Sequence, residues 1–99
     1  MIVRFADAAL VRCYQHFKDG CRRWNKKLAR AYISRINLLK ACNTTDDLRG
    51  FPQLRFHPLD GPLAGKHAMN IDERWRLIMV VDPTKRSVTI EEVSNHYGD

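Results

Sequence analysis

The sequence lacks any long hydrophobic run, and its longest apolar stretch is the five-residue segment 77–81. A transmembrane helix takes about 20 apolar residues, so this segment is far too short to cross a bilayer. The first five residues also lack the apolar segment of a secretory signal peptide. We therefore expect a cytoplasmic protein that does not contact a membrane.

Cysteine is scarce, with three residues, Cys13, Cys21 and Cys42. An odd number without a regular framework is typical of reduced thiols in a reducing compartment. Neither a Cys-x2-Cys nor a His-x3-His spacing occurs anywhere in the chain. The sequence therefore predicts neither a metal site nor another cofactor.

Acidic residues are missing between Asp19 and Asp46, a stretch that holds seven Lys and Arg residues. Residues 1–50 carry 11 basic and 4 acidic groups, whereas residues 51–99 carry 6 basic and 7 acidic groups. The net charge of +6 is thus a property of the first half. Because no acid lies one helical turn from these cations, the pattern favours a polyanion-binding surface. A solvated helix face that only aids solubility is the alternative.

The composition is that of a globular chain, with 44% hydrophobic and 28% charged residues and no internal repeat or low-complexity segment. A length of 99 residues is enough for one modest core. We therefore predict a single domain over residues 1–99.

The first half is predicted to contain one strand and two helices. Residues 1–5 alternate as a strand, and Asp7 is a suitable N-cap for an amphipathic helix that ends at Gly20. The second helix has an apolar stripe with helical spacing, formed by Trp24, Leu28, Tyr32, Ile36 and Leu39. The short connection indicates an antiparallel helical hairpin.

The second half has the period of strands, over residues 54–57, 67–71, 75–81 and 87–93, with a hairpin connection at 82–85. The order β-α-α-β-β-β predicts an α+β fold. In it, an N-terminal strand and a two-helix hairpin pack on a mostly antiparallel four-stranded sheet.

Four segments together resemble one protein family. They are Leu-Arg-Phe-His-Pro-Leu-Asp-Gly at 54–61, Gly-Lys at 65–66, Arg-Trp-Arg-Leu-Ile at 74–78, and Val-Thr-Ile-Glu-Glu-Val-Ser-Asn-His-Tyr at 88–97. With the β-α-α layout before them, they resemble the HigB-type toxins of the RelE/ParE superfamily. The resemblance implies a RelE-like fold and a type II toxin–antitoxin toxin. Such a toxin is an mRNA endonuclease that acts on the ribosome and is neutralised by a helix-turn-helix antitoxin.

Two segments depart from the family pattern. Many HigB-like toxins carry a basic residue where this chain has Asp60, and many end the last strand in Asp-Tyr-His where this chain has Asn95, His96 and Tyr97. The histidine and tyrosine have exchanged places, and an amide replaces the carboxylate. The roles of the individual catalytic residues do not transfer directly.

RNA cleavage without a metal needs a base for the 2′-hydroxyl proton, cations for the phosphorane charge and an acid for the 5′-oxygen. His57 and His96 suit the acid/base steps, since a histidine can hold or release a proton near neutrality. Two arginines at alternate positions of one strand would share a face and clamp a phosphate. The predicted catalytic residues are His57, His96, Tyr97, Arg74, Arg76 and Lys66, and the predicted RNA-binding residues are Arg22, Arg23, Lys26, Lys27, Arg30 and Lys40.

Several of these residues have structural alternatives. Arg74 can pair with Asp72 or Glu73, and Arg76 with Glu91 or Glu92 across the hairpin. His57 can simply cap a turn, and His67 is expected to be structural or exposed. Two other functions stay open: a ParE-like toxin that inhibits gyrase without cleaving RNA, and a non-catalytic RNA-binding domain.

Overall fold

The computed structural model describes residues 1–95. Its helices are α1 (Ala8–Gln15), α2 (Phe17–Arg23) and α3 (Lys26–Ala41), and its strands are β1 (Ile2–Phe5), β2 (His57–Pro58), β3 (His67–Asn70), β4 (Trp75–Asp82) and β5 (Ser87–Asn95). Short 3-10 turns lie at Thr45–Gly50, Pro52–Leu54, Gly61–Leu63 and Pro83–Lys85. Within the described residues, the strands form a sheet in the order β1-β5-β4-β3-β2. β1 is parallel to β5, and the other pairs are antiparallel.

The predicted α+β class is confirmed, but these residues form three helices rather than two and a five-stranded rather than a four-stranded sheet. Asp7 is the N-cap of α1, and its carboxylate accepts a hydrogen bond from the Leu10 backbone at 2.8 Å. The chain then bends at His16, so α1 ends at Gln15 instead of continuing to Gly20. A second break follows, where the Asn25 side chain accepts from the Leu28 backbone at 2.8 Å and begins α3.

Gly20 does not end a helix, as the sequence had predicted, but lies buried inside α2. A Cβ atom at this position would lie 2.9 Å from the Cβ of Ala29 on α3. The missing side chain thus allows close contact between α2 and α3, which explains why a residue that weakens helices stands here.

The core lies between the helices and one face of the sheet. The predicted stripe of α3 is buried through Leu28, Tyr32, Ile36 and Leu39, and it belongs to the same cluster as core residues of β4 and β5. The Tyr32 hydroxyl donates to the Leu10 carbonyl at 2.8 Å, so its one polar group is satisfied within the core.

Strand β4 is buried on both faces. Leu77 and Met79 belong to the core under the helices, and Ile78, which points to the opposite face, is only 1% exposed. A bulge interrupts the pairing with β5, because Ile78 is opposite Glu92 and Met79 is opposite Ile90. Glu91 is therefore an extra residue of β5 at this point.

The strand predicted at residues 54–57 is largely wrong. Pro52–Leu54 forms a 3-10 turn, Arg55 adopts a left-handed conformation with φ 48° and ψ 51°, and only His57–Pro58 pairs with β3. Proline at the start favours a helical turn, and the turn buries Leu54 in the core. Among residues 1–95, no helix combines the length and the apolar character that crossing a membrane requires.

We expect Gly20→Val to lower the free energy of unfolding by about 2 kcal/mol, because the new side chain overpacks the contact with Ala29. Gly50→Val is the matched control, since a Cβ at Gly50 meets no atom within 4 Å. Urea denaturation measures both. Equal stability of the two variants would contradict the close-contact role of Gly20.

Candidate functional site

A groove of about 460 Å³ lies on the sheet face opposite the helices. His57 on β2 is opposite Ala68 on β3, which is opposite Ile78 on β4, so the three residues form one row across the sheet. Arg76 lies two residues before Ile78 and shares its face. His57 and Arg76 both line the groove, and the connection after β2 contributes Leu59, Asp60 and Leu63. The structure thus brings together one predicted histidine and one predicted arginine.

The imidazole of His57 is held in a defined orientation. Its Nδ1 atom lies 2.6 Å from the backbone carbonyl oxygen of Arg55. A carbonyl can only accept a hydrogen bond, so Nδ1 carries the hydrogen. In the neutral ring the lone pair is then on Nε2, the atom that would accept a proton. The left-handed backbone of Arg55 is part of the turn that presents this carbonyl.

The two arginines are placed differently from the prediction. Arg76 is half-buried within β4, opposite Asn70 on β3 and Ser94 on β5. Arg74 lies before β4 in an exposed bend, where the Asp72 carboxylate accepts from the Arg74 and Trp75 backbones at 3.0 Å each. The prediction that both arginines share one strand is therefore wrong for Arg74, because this turn delays the start of β4.

Lys66 forms an ion pair with Glu91, with 2.5 Å between Nζ and Oε1 and side chains 35% and 30% exposed. The contact spans β4, since Lys66 precedes β3 and Glu91 lies on β5. Lys66 therefore does not supply an uncompensated third positive charge.

His96 and Tyr97 lie outside the described residues. The described part of β5 ends at Asn95, opposite Trp75, and Ser94 is opposite Arg76.

Arg35 has a structural function that the sequence analysis missed. Its Nε donates to the Asn70 carbonyl at 3.1 Å and one terminal nitrogen donates to the Ile71 carbonyl at 3.0 Å. Burial lowers the pKa of Arg35, a shift that the nearby Asp72 carboxylate opposes, and the guanidinium stays protonated. It fixes the β3–β4 connection against α3. Its place three residues after the core residue Tyr32, at the border of the apolar stripe, is the sequence signal that could have revealed it.

The predicted RNA-binding residues do not form one continuous patch. Lys26, Lys27 and Arg30 line a shallow groove of about 400 Å³ along α3. Lys40 lies near the other end of α3, about 15 Å from Arg30 along the helix axis.

Several of these cations also contact neighbouring residues. Arg22 forms an ion pair with Asp19 at 2.7 Å. Three others lie over aromatic rings: Arg23 over Trp24, Arg30 over Phe17 and Lys40 over Tyr14. Cation–π contacts of this kind position a charge without neutralising it.

His67 is structural, as expected. Its ring stacks on Phe56 with centroids 4.9 Å apart, and its Nδ1 is buried without a hydrogen-bond partner among the described residues. Burial lowers the pKa of His67, and the nearby His57 adds to the shift. Within residues 1–95, no group of three or more His, Cys, Asp or Glu side chains is placed to hold a metal ion.

Acid should destabilise the protein partly through His67. Because the pKa of His67 is lowered in the folded protein, the unfolded chain binds more protons than the folded one below about pH 6.5. The free energy of unfolding therefore falls as the pH drops from about 6.5 through the pKa that His67 has in the folded protein. His67→Phe, which keeps an aromatic ring over Phe56, should lose less stability between pH 7.5 and pH 5 in urea denaturation. The exposed His16→Gln serves as control. An unchanged pH dependence in His67→Phe would contradict this role.

The fold is shared with several solved structures. A YafQ mutant from E. coli has a TM-score of 0.64 at 15% identity, covering 95% of this chain and 91% of that one. The YoeB-YefM complex from Staphylococcus aureus has a TM-score of 0.61 at 23% sequence identity, and the match covers 98% of each chain. The toxin-antitoxin complex RelBE2 from Mycobacterium tuberculosis has a TM-score of 0.54 at 21% sequence identity, and the match covers 96% of each chain.

Sequence comparisons add no relative. No family model matches the chain, and no curated protein matches it. The structural likeness over nearly the whole length shows that the chain has the RelE-like α+β fold of these proteins.

Proposed function

We propose that the protein is a HigB-like toxin of a type II toxin–antitoxin system and acts as a ribosome-dependent mRNA endonuclease that inhibits translation. The observation that carries this proposal is the shared groove of His57 and Arg76, in which a hydrogen bond to the Arg55 carbonyl orients the His57 ring. A proton acceptor and a guanidinium on one open sheet face are two of the three kinds of group that cleavage of an RNA phosphodiester requires, the third being an acid.

In this mechanism His57 Nε2 takes the proton of the 2′-hydroxyl, and the 2′-oxygen attacks the adjacent phosphorus. Arg76 stabilises the additional negative charge of the phosphorane. The bond to the 5′-oxygen then breaks, and an acid protonates the leaving oxygen. The products are a 2′,3′-cyclic phosphate and a 5′-hydroxyl, and no metal ion takes part.

The remaining predicted residues are assigned to supporting roles. We assign His96 as the acid, because an imidazole can release a proton near neutrality, and Tyr97 to base stacking or proton transfer. Arg74 lies next to the groove-lining strand, and Lys66, held by Glu91, adds to the local polar network. Asp60 also lines the groove, where its carboxylate opposes phosphate binding and makes the contribution of Arg76 more important.

The partners follow from the same proposal. One structure with this fold is a YoeB-YefM complex, and another is the toxin-antitoxin complex RelBE2. By extension, a cognate antitoxin of the HigA-like helix-turn-helix type neutralises this protein. The cations of α2 and α3 contact ribosomal RNA or the messenger backbone in the cytoplasm.

We expect His57→Ala and Arg76→Ala each to lower the rate of mRNA cleavage on ribosomes by about 10² or more, because one removes a proton acceptor and the other a charge that stabilises the transition state. Mapping of new 5′ ends by primer extension measures the rate. The exposed His16→Ala and Arg12→Ala are matched controls and should cleave normally. Normal cleavage by folded His57→Ala and Arg76→Ala would refute the site.

The same mapping, with and without ribosomes, separates the alternatives. A gyrase inhibitor would leave mRNA intact and reduce DNA supercoiling by purified gyrase. A non-catalytic RNA-binding domain would bind ribosomes or RNA without producing new 5′ ends.

Ribosome binding should depend on salt through α3. Replacing Lys26, Lys27 and Arg30 with Gln should reduce the slope of log affinity against log salt by about 2, because each phosphate contact contributes about 0.7 for a single strand. Replacing Arg4, Arg12 and Lys85 with Gln changes the net charge equally and should leave the slope unchanged. Equal slopes in both triple variants would remove α3 from the RNA interface.

A further inference from the structure

A second cavity, of about 430 Å³, lies beside the candidate site near the β2 edge of the sheet. Two guanidinium groups, two phenyl rings and an imidazole contribute to its lining, from Arg49, Arg55, Phe51, Phe56 and His67. None of these side chains has a role in the cleavage chemistry above. Guanidinium groups bind phosphate and aromatic rings stack on bases, so this combination matches a nucleotide.

Arg55 connects the two cavities. Its backbone carbonyl accepts the hydrogen bond from His57 in the first groove, and Arg55 is also one of the residues that line the second cavity. The Cα atoms of these two residues are at most about 7 Å apart. Because β2 is an edge strand of two residues, a polymer bound at His57 can reach the second cavity by passing around this edge.

The arginines of the second cavity are available to an anion. Arg55 is exposed, and no carboxylate of residues 1–95 lies within ion-pair distance of it. Asp46 also lines this cavity and lies 3.8 Å from Arg49, but both side chains are exposed, and ion pairs of this kind are weak. A phosphate can therefore compete for both guanidinium groups.

Phe51 provides an aromatic surface in the same cavity. It is 38% exposed and, with Ile2, is one of two large hydrophobic side chains exposed in the described part of the chain. Phe56, in contrast, is already stacked on His67. A base that stacks on Phe51 would cover apolar surface that is otherwise in contact with water.

We propose that the second cavity is a subsite for a nucleotide next to the scissile phosphate, whose base stacks on Phe51 and whose own phosphate binds Arg49 and Arg55. The subsite rests on the proposed function and extends it from one phosphate to the course of single-stranded RNA around the β2 edge. An acidic protein segment would match the arginines but has no base to stack on Phe51. Binding of such a segment in place of RNA would contradict the proposal.

The test uses a fluorescent 2′-O-methyl oligoribonucleotide of about eight residues, which cannot be cleaved, and a series in which one base at a time is removed. Phe51→Ala should weaken binding of the complete oligonucleotide about tenfold, because it removes the ring on which one base stacks. Phe51→Trp should preserve binding, and Ile2→Ala is the control for loss of an exposed apolar side chain. At one position, loss of the base should weaken binding to the original protein but not to Phe51→Ala.

Three results decide between the possibilities. The subsite would be overturned if, at every position, removal of the base weakened binding equally for the original protein and for Phe51→Ala. The subsite would also be overturned if Phe51→Ala weakened the binding of a labelled Glu-rich peptide and left the binding of the oligonucleotide unchanged. His57→Ala should keep the dependence of binding on the base that stacks on Phe51. If this dependence is present but the original protein produces no new 5′ ends on ribosome-bound mRNA, the proposed function is rejected and the subsite is retained.

Discussion

Burial of β4 on both faces is the constraint on which the other parts of the structure depend. Leu77 and Met79 belong to the core under the helices, and Ile78 is buried on the opposite face. A shift of one residue in the pairing would exchange these faces, place Arg76 in the core and remove it from His57. The register that packs the helices therefore also assembles the groove, and a change in core packing at β4 would alter both.

The sequence predicted the elements whose period the core determines. The buried stripe of α3 and the alternation of β4 are regular over many residues, so a single pattern fits them. The segment 54–57 also alternates, but four residues are too few to distinguish a strand from a turn, and Pro52 with buried Leu54 decides for the turn. The bend at His16 has no signal in the hydrophobic period, because the apolar residues at 10, 13, 14 and 17 fit one continuous helix.

The candidate site was predictable only in part. His57 and Arg76 were identified by residue type and strand period, and the structure places them in one groove. The Lys66–Glu91 ion pair could not be foreseen, since its two residues lie far apart in the sequence and are brought together only by the order and register of β3, β4 and β5. The place of Arg74 depends on a turn formed by the Asp72 carboxylate, and turns of this kind are specified by side-chain hydrogen bonds rather than by hydrophobic period.

The brevity of β2 also bears on self-association. An exposed strand edge offers unpaired backbone groups to other chains, and long flat edges lead to aggregation. Here one edge strand has two residues, and Pro58 has no N–H group to donate. The strand at the other edge, β1, has four residues and carries the charged side chain of Arg4. Lengthening β2 or replacing Pro58 would present more unpaired backbone groups at this edge and favour edge-to-edge association between copies of the protein.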